Sequence, residues 1–105
     1  MESMVQPKEI EGLIPHDSSL IKVEVSWAES ICRLYIRIAQ TNAPESAIRV
    51  VEFTDLKEAV IPHNNPWGSS VSVNSATKTS ELYNIEMQSG DTIGIKAGGL
   101  RVTYL

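Results

Sequence analysis

The chain has 105 residues, of which 42% are hydrophobic and 21% are charged, and nine Lys and Arg against thirteen Asp and Glu give a formal net charge of -4. This length corresponds to one domain with a single core. The acidic balance argues against a nucleic-acid-binding surface, because binding to phosphates depends on clustered cations. We therefore expect a globular protein with no nucleic-acid partner.

Cysteine usage and the lack of targeting segments predict a cytoplasmic protein. The single cysteine, Cys32, cannot form an intramolecular disulfide, and we expect it to be a small buried apolar residue. No basic segment followed by an apolar stretch opens the chain, which argues against a signal peptide. No apolar run approaches the roughly 20 residues that a membrane helix needs, so we expect no membrane contact.

The chain begins with a segment of mixed character and continues as a series of short apolar runs. Residues 1–11 contain Pro7 and are predicted to form a tail that docks late or stays mobile. From Leu20 onward, turn-forming clusters recur every eight to twelve residues or so, which is typical of an all-β sandwich or barrel. We therefore predict a single antiparallel β-sandwich or barrel domain over residues 12–105.

Strict alternation identifies the first two strands. Residues 20–27 place Ile21, Val23, Val25 and Trp27 on one face, and residues 31–38 place Cys32, Leu34, Ile36 and Ile38 on one face. Side chains in a strand alternate between two faces, whereas a helix would scatter these positions around its circumference. The short segment 28–30 predicts that the two strands form an antiparallel hairpin.

Five further strands bring the predicted total to seven, at residues 47–53, 68–74, 82–88, 92–97 and 100–105. Residues 55–60 have helical character but are too few for an independent helix, so we expect one short helical turn there. The sequences Ser89-Gly90-Asp91 and Gly98-Gly99 predict tight hairpin turns. The last three strands would then form a meander.

Residues suited to catalysis or metal binding are few. The two histidines, His16 and His63, are far apart in sequence, and a zinc site needs three or four ligands. His16, Asp17 and His63 would supply three ligands only if their loops converge, so a metal-dependent activity is the third hypothesis. No serine lies in a Gly-x-Ser-x-Gly elbow and no phosphate-binding loop is present. We predict a non-enzymatic protein without metal or cofactor.

The loop over residues 62–70 is the most informative segment. Pro62 and Pro66 restrict its backbone, and Trp67 follows directly. A tryptophan on a rigid loop can be a binding anchor, although it can also fold back to cap one end of the core. The candidate binding surface combines this loop with the segment before the first strand, and its residues are His16, Asp17, His63, Asn64, Asn65 and Trp67.

Four short motifs occur in an order that resembles a group of small bacterial all-β proteins. They are His-Asp-Ser at 16–18, Val-Glu-Phe at 51–53, Pro-Trp-Gly-Ser-Ser at 66–70 and Tyr-Asn-Ile-Glu-Met-Gln-Ser-Gly-Asp at 83–91. Some proteins of this group resemble immunity proteins of polymorphic toxin systems, which neutralise a cognate toxin by binding it. The resemblance implies an all-β fold and a function in protein binding, with no catalytic signature.

Two functions are therefore carried forward. The first is a non-enzymatic protein-binding module whose partner is another protein, a toxin according to the resemblance, or a second copy of the chain in a homodimer. The second is a small-molecule or carbohydrate-binding protein whose site is formed by the loops at one end of the sandwich. Asn and Trp side chains suit the recognition of polar ligands, and such sites gather on loops.

Overall fold

The computed structural model describes residues 10–38 and 47–105. They form one short helix and six strands: α1 (Ile10–Leu13), β1 (Ser19–Ser26), β2 (Ile31–Ile38), β3 (Ala47–Val60), β4 (Val73–Thr79), β5 (Leu82–Met87) and β6 (Thr92–Tyr104). All strands pair antiparallel in a single sheet with the order β1-β2-β3-β6-β5-β4. The predicted all-β fold is confirmed, but the described residues form six strands in one sheet that is not a closed barrel, rather than seven strands.

The two edges of the sheet meet at one end. Ser19 at the start of β1 forms an isolated antiparallel bridge with Ser72, just before β4. The amide of Leu20 donates to the carbonyl of Val71 over 2.8 Å, and the amide of Val73 donates to the carbonyl of Ser18 over 2.8 Å. The sheet is therefore rolled, with its inner face surrounding the core.

Strand β3 changes its neighbours halfway along its length. Residues 47–53 pair with β2, whereas residues 54–60 have β6 as their only strand partner in the described part of the chain. Asp55 lies at this change and has a positive φ of 52°. The predicted helical turn at residues 55–60 is wrong, because pairing with β6 overrides a weak helical preference and keeps this segment in the sheet.

Gly98 and Gly99 lie on β6 opposite Asp55 and Thr54, where β3 changes its neighbours, and they do not form a hairpin turn. A Cβ atom on Gly98 would overlap the side chain of Asp55, and one on Gly99 would lie 2.5 Å from Oγ1 of Thr54. The glycines therefore let β3 and β6 approach each other closely at Asp55 and Thr54. The predicted hairpin is wrong, and the two predicted strands at 92–97 and 100–105 are one continuous strand, β6.

Two predicted hairpins are present in the structure, whereas the fourth strand begins and ends at other residues than predicted. The β1–β2 hairpin is confirmed, with Ser26 opposite Ile31. The β5–β6 turn is also confirmed, and Gly90 has a φ of 93° there. The predicted meander of residues 82–88, 92–97 and 100–105 is wrong in its strands, because the last two belong to β6, and the C-terminal meander consists of β4, β5 and β6 instead. The predicted strand at 68–74 is displaced, however, because regular pairing with β5 extends from Val73 to Thr79.

The core lies on the inner face of the rolled sheet and is covered at one place by α1. Phe53 is fully buried, and its ring meets the ring of Tyr83 edge to face at 4.8 Å between centroids. Ile10 and Ile14 are also buried, and α1 contacts β4. Of the predicted tail, residues 1–9 lie outside the described residues, whereas Ile10 begins α1. Cys32 is buried as predicted. No helix in the described ranges is long and apolar enough to cross a membrane.

Replacement of Phe53 by alanine tests this description of the core. We expect Phe53→Ala to lower the free energy of unfolding by about 3–5 kcal/mol, because it removes a large buried ring and leaves a cavity. Urea denaturation followed by circular dichroism measures the change. The control is Val60→Ala on the same strand, where the side chain is exposed and a loss of about 1 kcal/mol or less is expected. Equal losses in the two variants would contradict the assigned core.

Candidate functional site

The carboxylate of Asp91 holds the loop that contains four of the predicted binding residues, His63, Asn64, Asn65 and Trp67. Its Oδ1 accepts the amide of Asn64 over 2.8 Å, and its Oδ2 accepts the amide of Asn65 over 2.9 Å and the hydroxyl of Ser89 over 2.8 Å. These hydrogen bonds, led by the one from Asn64, lower the pKa of Asp91 against the opposing effect of burial. The loop is thus joined to the β5–β6 turn by a charged acceptor.

Trp67 lies against the same turn but is not part of the core. Its amide donates to the carbonyl of Ser89 over 2.9 Å. A Cβ atom on Gly90 would lie 2.8 Å from Cδ2 of Trp67 and 2.7 Å from Cγ of Pro66, so only glycine allows this close packing. The Trp67 side chain nevertheless remains 74% exposed. It therefore covers the turn and keeps most of its surface free for contact.

The other predicted binding residues, His16 and Asp17, lie in the segment before β1. Asp17 Oδ1 accepts a hydrogen bond of 2.6 Å from Nε2 of Gln88, and Asp17 has a positive φ of 69°. His16 Nδ1 donates to the carbonyl of Asn74 over 2.8 Å. The structure thus connects Asp17, and separately the loop with Asn64, Asn65 and Trp67, to residues 88–91.

The histidines are not part of a metal centre in the described structure. Within residues 10–38 and 47–105, no group of three or more His, Cys, Asp and Glu side chains is arranged to hold a metal ion. His16 is adjacent to Asp17, with 3.4 Å between Nε2 and Oδ1, whereas His63 lines a cavity beside β1. The two side chains therefore have different surroundings.

A further candidate surface, which sequence analysis missed, is a groove beside β1. Its wider part, of about 450 Å³, lies between Val25 and Trp27 on one side and Leu56, Ala59 and Ile61 on the other. Its narrower part, of about 220 Å³, lies between residues 20–23 and residues 61–63. Ile61 lines both parts, and we refer to them together as the β1 groove.

Apolar side chains that were predicted to face the core are exposed along this groove. Trp27 is 92% exposed, Val25 is 48% exposed and Ile21 is 44% exposed, whereas Val23 is half-buried. The predicted inward face is confirmed for Val23 and Val25, which lie opposite the buried Leu34 and Cys32, and Val25 is exposed because it lines the open groove. It is wrong for Ile21, the extra residue of a β-bulge, and for Trp27, which lies in the turn after β1.

Charged side chains on the outer face of the sheet are paired with one another. Glu52 accepts hydrogen bonds from Arg33, at 2.8 Å, and from Arg101, which together outweigh partial burial and lower its pKa. Glu24 accepts the Tyr35 hydroxyl over 2.6 Å, which lowers the pKa of Glu24. These carboxylates stabilise pairing between neighbouring strands.

The Cys32 thiol is not prepared for nucleophilic chemistry. The side chain is fully buried, and burial raises its pKa to about 11. Since the thiolate is the reactive form, only about one molecule in a thousand would carry it at pH 8. Cys32 therefore acts as a small apolar residue of the core.

In comparisons with known proteins, no family model, no curated protein and no solved structure matches the chain.

The Asp91 contacts predict an acid-sensitive fold. A carboxylate whose pKa is lowered on folding stabilises the folded state above its ordinary pKa of 3.8, and the stabilisation is lost as the pH falls through the lower folded value. We expect Asp91→Asn to melt at a lower temperature than the unchanged protein at pH 7. This difference should shrink below about pH 3.8, because the unchanged protein then loses its charged acceptor as well.

Thermal unfolding between pH 2 and pH 7 measures this effect. Asp55→Asn is the matched control, because the Asp55 side chain is mostly exposed and its ion pair with Lys57, at 3.4 Å, lies on the surface. A melting difference between Asp91→Asn and the unchanged protein that stays constant over this pH range would contradict the proposed role of the Asp91 charge.

Proposed function

We propose that this protein is a non-enzymatic module that binds another polypeptide, and that the β1 groove is its contact surface. The observation that carries the proposal is the nearly complete exposure of Trp27 beside a groove whose walls include the apolar residues Val25, Leu56 and Ile61. Scattered exposed apolar residues are common on protein surfaces, but an apolar groove with a tryptophan at its rim is characteristic of interaction sites.

The composition of the groove fits a protein partner. Trp is among the residues most enriched where alanine substitution weakens protein complexes most, since its large surface is buried at a small entropic cost. Protein interfaces combine an apolar centre with a polar rim. Lys57 and Glu58 supply charges of both signs beside the apolar wall formed by Leu56 and Ile61. This arrangement favours a polypeptide over a phosphate-rich ligand.

The absence of an enzymatic role is supported by how the reactive groups are used. Cys32 is buried and protonated, Glu52 is paired with two arginines, and the Asp91 carboxylate accepts three hydrogen bonds from its own loop and turn. Each of these groups thus has a structural explanation. None of them lines the wider part of the groove.

The resemblance to immunity proteins supports a protein toxin as the partner. The net charge of -4 favours a partner with a basic surface, because complementary charge accelerates encounter. The partner would contact the β1 groove through an apolar segment, while the net charge would act at longer range.

A carbohydrate or other small polar molecule at Trp67 is the second candidate. The observation that favours it is the fixed position of the Trp67 ring on Gly90, next to a loop whose backbone is held by Asp91. An exposed aromatic ring held rigidly can stack on an apolar face of a ligand. This candidate uses Trp67 and predicts that Trp27 is dispensable.

Selection from a phage-displayed library of random 12-residue peptides tests the leading function. We expect the unchanged protein to select peptides that bind it, and Trp27→Ala to weaken their binding at least tenfold, about 1.4 kcal/mol, because Trp27 supplies the largest exposed apolar surface of the groove. Calorimetry with the selected peptides measures the change. Trp67→Ala is the matched control, and we expect it to retain binding within about threefold.

Two outcomes would overturn the leading function. If no peptide is enriched over a library screened without the protein, the groove does not bind polypeptides. If Trp67→Ala loses binding and Trp27→Ala does not, the binding surface is the loop at residues 62–70.

Co-expression with the product of the adjacent gene tests the toxin as partner. We expect a complex tighter than about 1 µM with the unchanged protein, and at least tenfold weaker binding with Trp27→Ala. Pull-down followed by calorimetry measures both quantities. A neighbouring product that does not bind, or that binds more weakly than about 1 µM, would remove the immunity function.

A further inference from the structure

Strand β1 has one edge that is closed at its beginning and open afterwards. On one side it pairs with β2 along its length. On the other side, Ser19 bridges to Ser72 and the Leu20 amide donates to Val71. From Lys22 to Ser26, no strand in the described part of the chain pairs with that edge. Within residues 10–38 and 47–105, the backbone groups directed away from β2 there have no strand partner, which is the arrangement that an added strand can use.

The exposure of Val25 indicates that this edge has room for a neighbour. Val25 lies opposite Cys32 in the β1–β2 register, and Val23 lies opposite Leu34. Both partners on β2 are fully buried, whereas Val25 is 48% exposed. Because side chains at paired positions lie on the same face, Val25 faces the interior and is exposed only because the sheet is open beside β1.

The open part of β1 has no bulge, no proline and no charged residue that points inward. Native proteins protect edges with bulges, prolines or charged residues that point inward. The bulge of β1 is at Ile21, before the open part. Lys22 is held on the outer face, with its Nζ 4.4 Å from the centre of the Tyr35 ring and 3.5 Å from Glu24. The inward positions of the open part are the apolar Val23 and Val25.

We propose that the partner binds in the β1 groove as an added β-strand that pairs with Lys22–Ser26. This inference rests on the proposed function and specifies the form of the partner, an extended segment of another protein. Five residues of strand span about 17 Å. Backbone hydrogen bonds to β1 supply affinity, and alternate side chains supply specificity.

The groove also determines the sequence pattern that the added strand would have. Alternate side chains of the segment would enter the apolar space between Val25 and Ile61 and contact Trp27. The side chains between them would lie on the outer face, next to Lys22 and Glu24, where polar residues are accommodated. The expected partner segment therefore has about five or six residues in which apolar and polar residues alternate.

Hydrogen exchange and backbone methylation of the selected peptides test this inference. With ¹⁵N-labelled full chain, we expect binding to slow exchange at least tenfold for alternate amides between Lys22 and Ser26. Two sets of peptides are compared, one N-methylated at odd-numbered residues and one at even-numbered residues. One set should bind at least tenfold more weakly and the other less than about threefold more weakly, because only one set of amides faces β1. Amides of β4, at the other edge of the sheet, serve as the internal control.

A charge introduced on the inner face gives a second, independent test. Val25→Lys places an inward charge at the open edge, and we expect it to weaken peptide binding at least tenfold. Leu105→Lys is the matched control, because it adds the same charge at an exposed apolar position outside the groove, and we expect less than a threefold change. Amide spectra of both variants in the absence of peptide verify that the fold is retained.

The outcomes separate this inference from the proposed function. If peptides bind with Trp27 dependence but leave the β1 amides unprotected and tolerate N-methylation in both sets, strand addition is wrong and the binding function stands. If no peptide is selected, both are wrong. If the β1 amides become protected at high protein concentration without peptide, a second copy of the chain is the occupant and the proposed partner is wrong.

Discussion

The bend of β3 at Asp55 determines where the β1 groove lies. At Asp55, β3 leaves β2 and continues along β6 for the rest of its length. Its second half is therefore carried away from the β1–β2 hairpin, and the wider part of the β1 groove lies between them. Glycine at 98 and 99 leaves room for the side chains of Asp55 and Thr54, which occupy the space where Cβ atoms would be. A groove on one side of the sheet thus depends on close packing at its corner.

The core keeps the two halves of the bent sheet together. Phe53, immediately before the corner, packs against Tyr83 on β5, so one aromatic contact joins the part of the sheet near β2 to the part near β5. On the outer face, Glu52 binds Arg33 on β2 and Arg101 on β6. The apolar contact on one face and the ionic contacts on the other fix the strands at the level where β3 changes partners.

The sequence predicts features that depend on residues close together in the chain, such as where a strand forms and which face it buries. It does not predict features that depend on contacts between residues far apart in the chain. Alternation in residues 31–38, 82–88 and 92–97 predicts strand and buried face correctly, since both are local properties. Gly98-Gly99 is compatible with a hairpin and with a corner, and the choice depends on Asp55, more than forty residues away. Alternation alone likewise does not reveal the β1 bulge, which leaves Ile21 unpaired and places Leu20 opposite the buried Ile36.

In the candidate site, too, the local features could be predicted from the sequence and the contacts between distant residues could not. The stiffness of the loop at residues 62–70 could be predicted from Pro62 and Pro66, and the Ser89-Gly90-Asp91 turn from its glycine, but the hydrogen bonds that join them link residues 26 or 27 positions apart. The groove could not be predicted, because Trp27 and Ile61 line it together only as a result of the bend of β3. Asp91 and His63 also line its narrower part, so the carboxylate that holds the loop helps to fix one wall of the groove. Trp27, by contrast, is almost fully exposed and contributes little to the core. Substitution of Trp27 therefore changes the groove with little effect on the core that stabilises the fold.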